Sequence, residues 1–313
     1  MKRSFKHILR CPLCKARLVS PEVASRYVYG GKPGQKFYRC SFCDVAFLHP
    51  RLSRKEEREF YKKEFEKFME KRSGGDIDWS GPEAHFRSNA KQYERRTRFL
   101  KGLVRKNRSV LEFGCSSGFM LMPLKKAGMN VTGIEPSKCY SQFLSSQGIA
   151  VFDSLARFKA SGEFRKKFDL IMHFFVLEHL REPIRFLKDC LLLLNKNGVL
   201  LFEIPSRSDP LLTVYNLAAF KKFYWSVAHN FYFNRRSLEY VLNKTGRRFK
   251  IIPEQRYGLS NHMNWAIDGK PGGQGKYSSY FSPELEWAYL QSMKRSGYCD
   301  TLVAILYGKK GFK

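Results

Sequence analysis

Four cysteines stand in two C-x-x-C pairs, Cys11-Pro12-Leu13-Cys14 and Cys40-Ser41-Phe42-Cys43, with 25 residues between Cys14 and Cys40. Thiolates at this spacing suit tetrahedral zinc, and four of them close the coordination sphere, leaving no position for a substrate. The pattern predicts a structural zinc on Cys11, Cys14, Cys40 and Cys43; a redox C-x-x-C is the rival chemistry. Cys115, Cys139, Cys190 and Cys299 lack such partners and read as plain buried thiols.

A second signal starts at Ser109. The apolar run Val110-Leu111-Glu112-Phe113 leads into Gly114-Cys115-Ser116-Ser117-Gly118, a turn of small residues ahead of a helix beginning near Phe119. Small residues there let a ligand lie against bare backbone. A dinucleotide fingerprint wants glycine where Ser116 and Phe119 stand, which disfavours a nicotinamide enzyme. The next run, Val131-Thr132-Gly133-Ile134-Glu135-Pro136-Ser137, ends in Glu135, whose carboxylate can accept hydrogen bonds from both hydroxyls of a nucleoside ribose.

The stretch from Glu112 to Gly118 resembles motif I of the class I S-adenosylmethionine-dependent methyltransferases, an acidic residue followed by G-x-G-x-G, with Ser116 in place of the middle glycine. The resemblance continues through Phe168 to His179, with its D-x-I and L-E-H elements, and through Leu194 to Pro205. It implies S-adenosylmethionine as cofactor, bound by Glu112, Gly114, Cys115, Ser116, Gly118, Glu135 and Pro136. It also implies Asp153 near the adenine, and His173 and Phe174 flanking the cofactor at the carboxyl end of the sheet. For Asp153, a helix N-cap is the alternative role.

The segment from Phe37 to Pro50, followed by Leu52-Ser53 and a helix reaching Phe60-Tyr61, is similar to bacterial zinc-ribbon methyltransferases of sugar and surface-polysaccharide biosynthesis. That similarity extends to Gln255–His262, Trp265 and Gly269–Gly273. It implies a small acceptor, a sugar, sugar nucleotide or glycan intermediate, whose phosphates would suit a basic chain. Related sugar C-methyltransferases use a Tyr-x-Glu-His segment in deprotonation, and Ser226-Val227-Ala228-His229 keeps its histidine alone. His229 is thus the first candidate catalytic base and His179, after Glu178, the second, since an imidazole titrating near neutrality can take a proton from a hydroxyl or carbon. Each also has a structural reading: His229 packed among aromatic residues, His179 satisfying local backbone at a helix start.

With 57 Lys and Arg against 28 Asp and Glu, the chain carries +29 and should attract polyanions. Nine basic residues between Arg87 and Arg108 face one acid, Glu94, which reads as a solvated helix face. The same residues, with Phe37, Tyr38 and Phe42 to stack bases, would serve the alternative function, an RNA methyltransferase. A third class is a cofactor-sensing scaffold without turnover. No run approaches the roughly 20 apolar residues of a spanning helix, and MKRSFKHILR has no apolar stretch for a signal peptide. Cysteines read as thiols and metal ligands agree with a cytoplasmic protein.

The elements that must position these groups divide the chain in three. Residues 1–50 read as the zinc ribbon, with a turn at Gly30–Gly34 between strand-like runs. Residues 51–108 read as a helical linker: a capping box at Ser53 and Glu56 opens a helix through Phe60, Phe65, Phe68 and Met69 that Ser73-Gly74-Gly75 ends, and a second helix runs from Phe86 to Val104. Residues 109–313 read as an α/β domain with strands near 110–113, 130–134, 149–152, 168–173 and 199–204, a Rossmann-like sheet with helices on both faces. A helix over Asn234–Lys244 and strands near 249–253 and 301–307 follow. The glycine-rich stretch from Tyr257 to about Pro283 reads as an irregular acceptor-side insertion.

Overall fold

The computed structural model describes residues 8–73, 77–163 and 167–309. The basic segment before Ile8 and the glycines Gly74 and Gly75, expected to end the first helix, lie outside them. In chain order the strands are β1 (Ile8–Arg10), β2 (Arg17–Val19), β3 (Val23–Ser25), β4 (Lys36–Arg39), β5 (Ala46–His49), β6 (Ser109–Phe113), β7 (Asn130–Ile134), β8 (Ala150–Phe152), β9 (Phe168–Phe174), β10 (Leu194–Pro205), β11 (Phe231–Tyr232), β12 (Phe249–Glu254) and β13 (Thr301–Tyr307).

Seven of them form the central sheet, in the order β12-β13-β10-β9-β6-β7-β8. The five strands β6 to β10 pair in parallel, and β13 runs antiparallel to both β10 and β12. This is the parallel, helix-covered Rossmann-like sheet that the alternating apolar runs predicted. The strand order reverses beside β6, so the crevice at the carboxyl ends of β6 and β9 is the topological switch point where such sheets take ligands.

Side chains alternate across a strand, and the two faces of this sheet feed two cores. Leu111, Phe113, Ile171, Leu200 and Phe202 pack on one side with Leu187 and Leu191 of helix Pro183–Leu193. Val110, Leu170, Met172, Leu201 and Val303 pack on the other with Leu121, Leu124 and Leu144.

The ribbon does not complete its own sheet. Its strands lie in the order β11-β5-β4-β3, and β11 comes from the far end of the chain. Phe37 and Leu48 share a third core with Leu211, Phe220, Tyr224, Trp225 and Trp265. Asp44 fastens the union, accepting from Arg39 (2.6 Å), from Arg207 (2.8 Å) and from Asn234 (2.6 Å).

The capping box forms as expected: Ser53 Oγ accepts from the Glu56 N–H at 3.2 Å, and Glu56 returns the bond to the Ser53 N–H at 2.7 Å. The helix then runs from Arg54 to Ser73 with one wide π turn over Phe60–Glu64. The second linker helix is broken into Pro82–Ser88 and Ala90–Thr97, with Asn89 between them.

Two expectations need correction. The insertion is not irregular throughout, because Leu259–Asp268 is a helix with Gly258 at its start and a left-handed Gly269 at its end; those glycines are boundary signals rather than loop filler. The helix Pro283–Ser296 follows it. Cys139 is exposed, unlike the buried Cys115, Cys190 and Cys299, because it lies on the outer side of helix Lys138–Ser146.

Candidate functional site

The turn after β6 is shaped by backbone that ordinary side chains avoid. Gly114 and Gly118 adopt φ of +65° and +70°, and Ser116 also sits in the left-handed region at +42°. A Cβ on Gly114 would come within 2.8 Å of Val176 Cγ2, and one on Gly118 would collide with Leu144. Cys115 packs over Gly133 of the neighbouring strand, where an added Cβ would meet its Sγ at 2.6 Å. These close approaches explain the small residues read from the sequence.

Glu135 leaves β7 at the same end of the sheet. Its carboxylate accepts from the backbone N–H of Ser116 at 2.7 Å and of Ser137 at 2.8 Å, and burial nevertheless pushes its pKa up to about 7. Pro136 next to it is exposed. Asp153 is exposed at the end of β8, whose Phe152 carbonyl accepts from the Glu135 N–H. Ser154, not Asp153, is the helix N-cap. Glu112 lies beneath the turn inside the sheet, with Oε2 unpartnered and its pKa raised well above the carboxylate range by burial.

His173 is a correction. Its ring stacks on Phe202, with centroids 4.5 Å apart and planes at 13°, and meets Phe186 edge-on, so it faces the helix-packed core instead of the crevice. Both ring nitrogens lack partners among the described residues, and burial lowers the pKa to about 3. One residue on, the alternation sends Phe174 to the opposite face, where the Arg96 guanidinium lies 3.9 Å from its ring centroid.

The linker roofs the crevice with residues the sequence reading did not single out. His85 Nδ1 lies 2.8 Å from Ser117 Oγ in the small-residue turn, its ring is 4.5 Å from that of Trp79 and 5.4 Å from that of Tyr140, and burial lowers its pKa to about 4. Trp79 Nε1 is buried without a partner. The basic stretch is largely the solvated face expected, with Arg87, Lys91, Arg98, Lys101, Arg105 and Lys106 exposed, but Arg96 is buried and its Nε donates to Glu203 at 2.9 Å, Arg95 pairs with the same carboxylate at 2.7 Å, and Arg98 pairs with Glu254. Burial would raise the Glu203 pKa, but Arg96 and Arg95 hold it at about 2. Only the location of Glu203 across the fold reveals this, and no local spacing encodes it.

Both candidate bases meet in one cluster. The short turn Leu177–His179 follows β9, and His229 precedes β11; their rings meet edge to face with centroids 4.6 Å apart. His179 Nδ1 donates to the Ala228 carbonyl at 2.7 Å, and Tyr61, in the π turn, places its hydroxyl 2.9 Å from both. Glu178 is fully buried with neither oxygen partnered among the described residues, and burial raises its pKa to about 8. Burial lowers His179 to about 4 and His229 well below the usual imidazole value, so both are neutral at pH 7. Phe65 bridges cluster and roof, its ring 6.1 Å from that of His179 and 6.3 Å from that of Trp79.

The four cysteines converge, with Cys11 and Cys43 sulfurs 3.7 Å apart and Cys14 and Cys40 sulfurs 3.6 Å apart, and all four within 4.8 Å of one another. Zn–S bonds of about 2.3 Å place tetrahedral sulfurs about 3.8 Å apart, so the quartet fits zinc, and these separations are far longer than a disulfide. Each knuckle ends in a left-handed residue, Lys15 or Asp44, whose N–H returns to the carbonyl of the first cysteine at 2.9 Å.

Comparison with known proteins gives this geometry a context. The ubiquinone biosynthesis O-methyltransferase of Histophilus somni is 29% identical over 145 residues, 42% of this chain and 59% of that protein. Its counterpart from Pelagibacter ubique is 30% identical over 98 residues, 30% of this chain and 41% of that protein. The chain thus spans about half the length of these curated relatives. A solved S-adenosylmethionine-dependent methyltransferase from Archaeoglobus fulgidus superposes with a TM-score of 0.49 at 19% identity, covering 78% of this chain and all of that one. The family model described as a methyltransferase domain matches residues 84–250, from the roof helix through the small-residue turn, Glu135 and the histidine cluster to β12. That match takes in more than half of the sequence, and the chain accordingly belongs to the methyltransferase-domain family.

Proposed function

We propose that the protein transfers the methyl group of S-adenosylmethionine to an oxygen of a small acceptor, of the sugar, sugar-nucleotide or glycan-intermediate class, and that its four cysteines hold a structural zinc. The observation that carries this reading is the enclosed Glu178–His179–His229 cluster, which follows directly on the turn facing Gly114 and is roofed by Tyr61, Phe65 and Trp79. A buried polar cluster beside a ligand crevice suits a small molecule held away from water.

The cofactor supplies a methyl group on a sulfonium that an acceptor lone pair can take in line. Glu135 is positioned to accept from ribose hydroxyls, while Gly114 and Gly118 keep the approach clear. The neutral His229, its Nδ1 unpartnered among the described residues, can take the proton of an acceptor hydroxyl when no ion occupies that nitrogen. Tyr61 and the Ala228 carbonyl fix the orientation of His179. Alignment of acceptor and methyl carbon can by itself supply roughly 7 to 11 kcal/mol. The curated relatives are O-methyltransferases by name, which supports oxygen as the acceptor atom.

The RNA reading keeps the exposed Arg87, Lys91, Lys101, Arg105 and Lys106 but is weakened in two places. Arg95, Arg96 and Arg98 are engaged with Glu203 and Glu254. Of the three proposed stacking residues, Phe37 and Tyr38 are buried and Phe42 alone is exposed. The test is incubation with methyl-labelled S-adenosylmethionine and, in parallel, a sugar-nucleotide and glycolipid extract or deproteinised RNA. Label in the saccharide fraction, lost in Glu135→Ala, is expected; label in RNA alone overturns the proposal.

A further inference from the structure

Glu178, His179 and His229 each offer one ligand atom, and these atoms lie within 4.8 Å of one another. We infer that they form a second metal site, separate from the cysteine quartet, for a divalent first-row transition ion such as Mn²⁺ or Zn²⁺, with coordination positions left open to an acceptor oxygen. The part about the acceptor rests on the function proposed above; binding of the ion does not.

Three observations carry it. First, among the described residues both oxygens of the fully buried Glu178 lack any partner, and so does Nδ1 of the buried His229. Buried carboxylates are normally paired or coordinated, because leaving one without a counter-charge is costly. Second, His179 is pre-set as a ligand. With Nδ1 committed to the Ala228 carbonyl, its lone pair sits on Nε2, which lies 4.0 Å from Glu178 Oε1. A metal-bound histidine generally has its other nitrogen fixed in this way. Third, the segments are locked in register: the Asn230 N–H donates to the Glu178 carbonyl at 2.9 Å, and the Asn230 side chain donates to the His179 carbonyl at 2.6 Å.

Metal–nitrogen and metal–oxygen bonds of about 2.0–2.2 Å put adjacent ligands about 3 to 3.5 Å apart. From 4.0 Å between Glu178 Oε1 and His179 Nε2, and at most 4.8 Å within the trio, closure of roughly 0.5 to 2 Å would complete the site. Two imidazoles and a carboxylate leave positions vacant, whereas four thiolates leave none. The nitrogen and oxygen donors also separate the two sites chemically, since Mn²⁺ favours this set over thiolates.

The experiment titrates Mn²⁺ alone into the full-length protein loaded with one zinc per chain, enough for the cysteine quartet only, and follows free Mn²⁺ by electron paramagnetic resonance, without cofactor or acceptor. One Mn²⁺ per chain is expected, with affinity at least tenfold lower in Glu178→Gln and in His229→Gln. Pulsed measurement on the wild-type complex should show nitrogen coupling from imidazole, a readout that needs no variant to fold. Absence of stoichiometric binding, absence of nitrogen coupling, or unchanged affinity in both variants overturns the site. Mn²⁺ binding without methyl transfer to any saccharide would instead count against the proposed function and leave the site standing.

Discussion

The imidazoles of His179 and His229 meet edge to face, their centroids 4.6 Å apart and their planes at 87°. His179 is placed by β9 of the central sheet. His229 is placed by β11, which pairs with β5 of the ribbon through Phe231 and Phe47, and the Leu48 N–H donates to the Asn230 carbonyl at 3.1 Å. One half of the cluster is thus held by the methyltransferase sheet and the other by the cysteine-bearing ribbon.

Removal of the proposed zinc should therefore reach the histidines. Structural zinc contributes on the order of 10 to 16 kcal/mol to such modules, enough to decide whether the ribbon folds. A thiol-reactive reagent with a chromogenic chelator should release one zinc per chain from the four-cysteine site, and methyl transfer should decay in step with release. Full activity after complete release would remove the ribbon from this role.

Cofactor affinity should depend on pH through Glu135. Its pKa of about 7 reflects burial, only partly offset by the N–H groups of Ser137 and Ser116. The charged form is the stronger acceptor for ribose hydroxyls, so affinity for S-adenosylhomocysteine should fall as pH drops from about 8 to 6. Glu135→Gln should bind about 10- to 100-fold more weakly and lose that pH dependence, since a charged hydrogen bond is worth about 1.5–3 kcal/mol. Calorimetry at several pH values checks both.

The Arg96–Glu203 pair should hold the helix Ala90–Thr97, below the roof, to the sheet. Removing one partner of a buried pair costs about 3 to 5 kcal/mol, because the other charge stays buried; here Arg95 compensates in part, so Arg96→Leu should cost about 3 kcal/mol in urea unfolding. Glu203 titrates lower folded than unfolded, so its stabilisation is complete above about pH 4.5 and fades as pH falls towards about 2. Acid unfolding of Arg96→Leu should accordingly begin at a higher pH than that of the wild type.

Gly118→Ala tests the turn. Alanine at φ +70° is strained by roughly 1–3 kcal/mol, and its Cβ would collide with Leu144. Lower thermal stability and weaker S-adenosylhomocysteine binding are expected together; a variant matching the wild type in both would show that the turn tolerates a side chain.

Much of the fold was legible in the order of residues. The five parallel strands, the last two strands, the Ser53 capping box and the cysteine knuckles all follow from local signals, namely apolar runs of strand length, a cap and ligand spacing. The turn with Gly114 and Gly118 was legible for the same reason, since positive φ and close approach leave a mark on residue type.

What local signals could not contain, tertiary structure decided. The alternation of a strand says that His173 and Phe174 face opposite ways, but only the packed helix Pro183–Leu193 determines which of them faces the core. The charges at Arg95 and Arg96 read as solvated until Glu203 is brought beneath them from a remote strand. His179 and His229 were each an ambiguous histidine in the sequence. They become one cluster with Glu178 because β11 crosses to the ribbon, a pairing made through long-range backbone hydrogen bonds that no local residue pattern specifies.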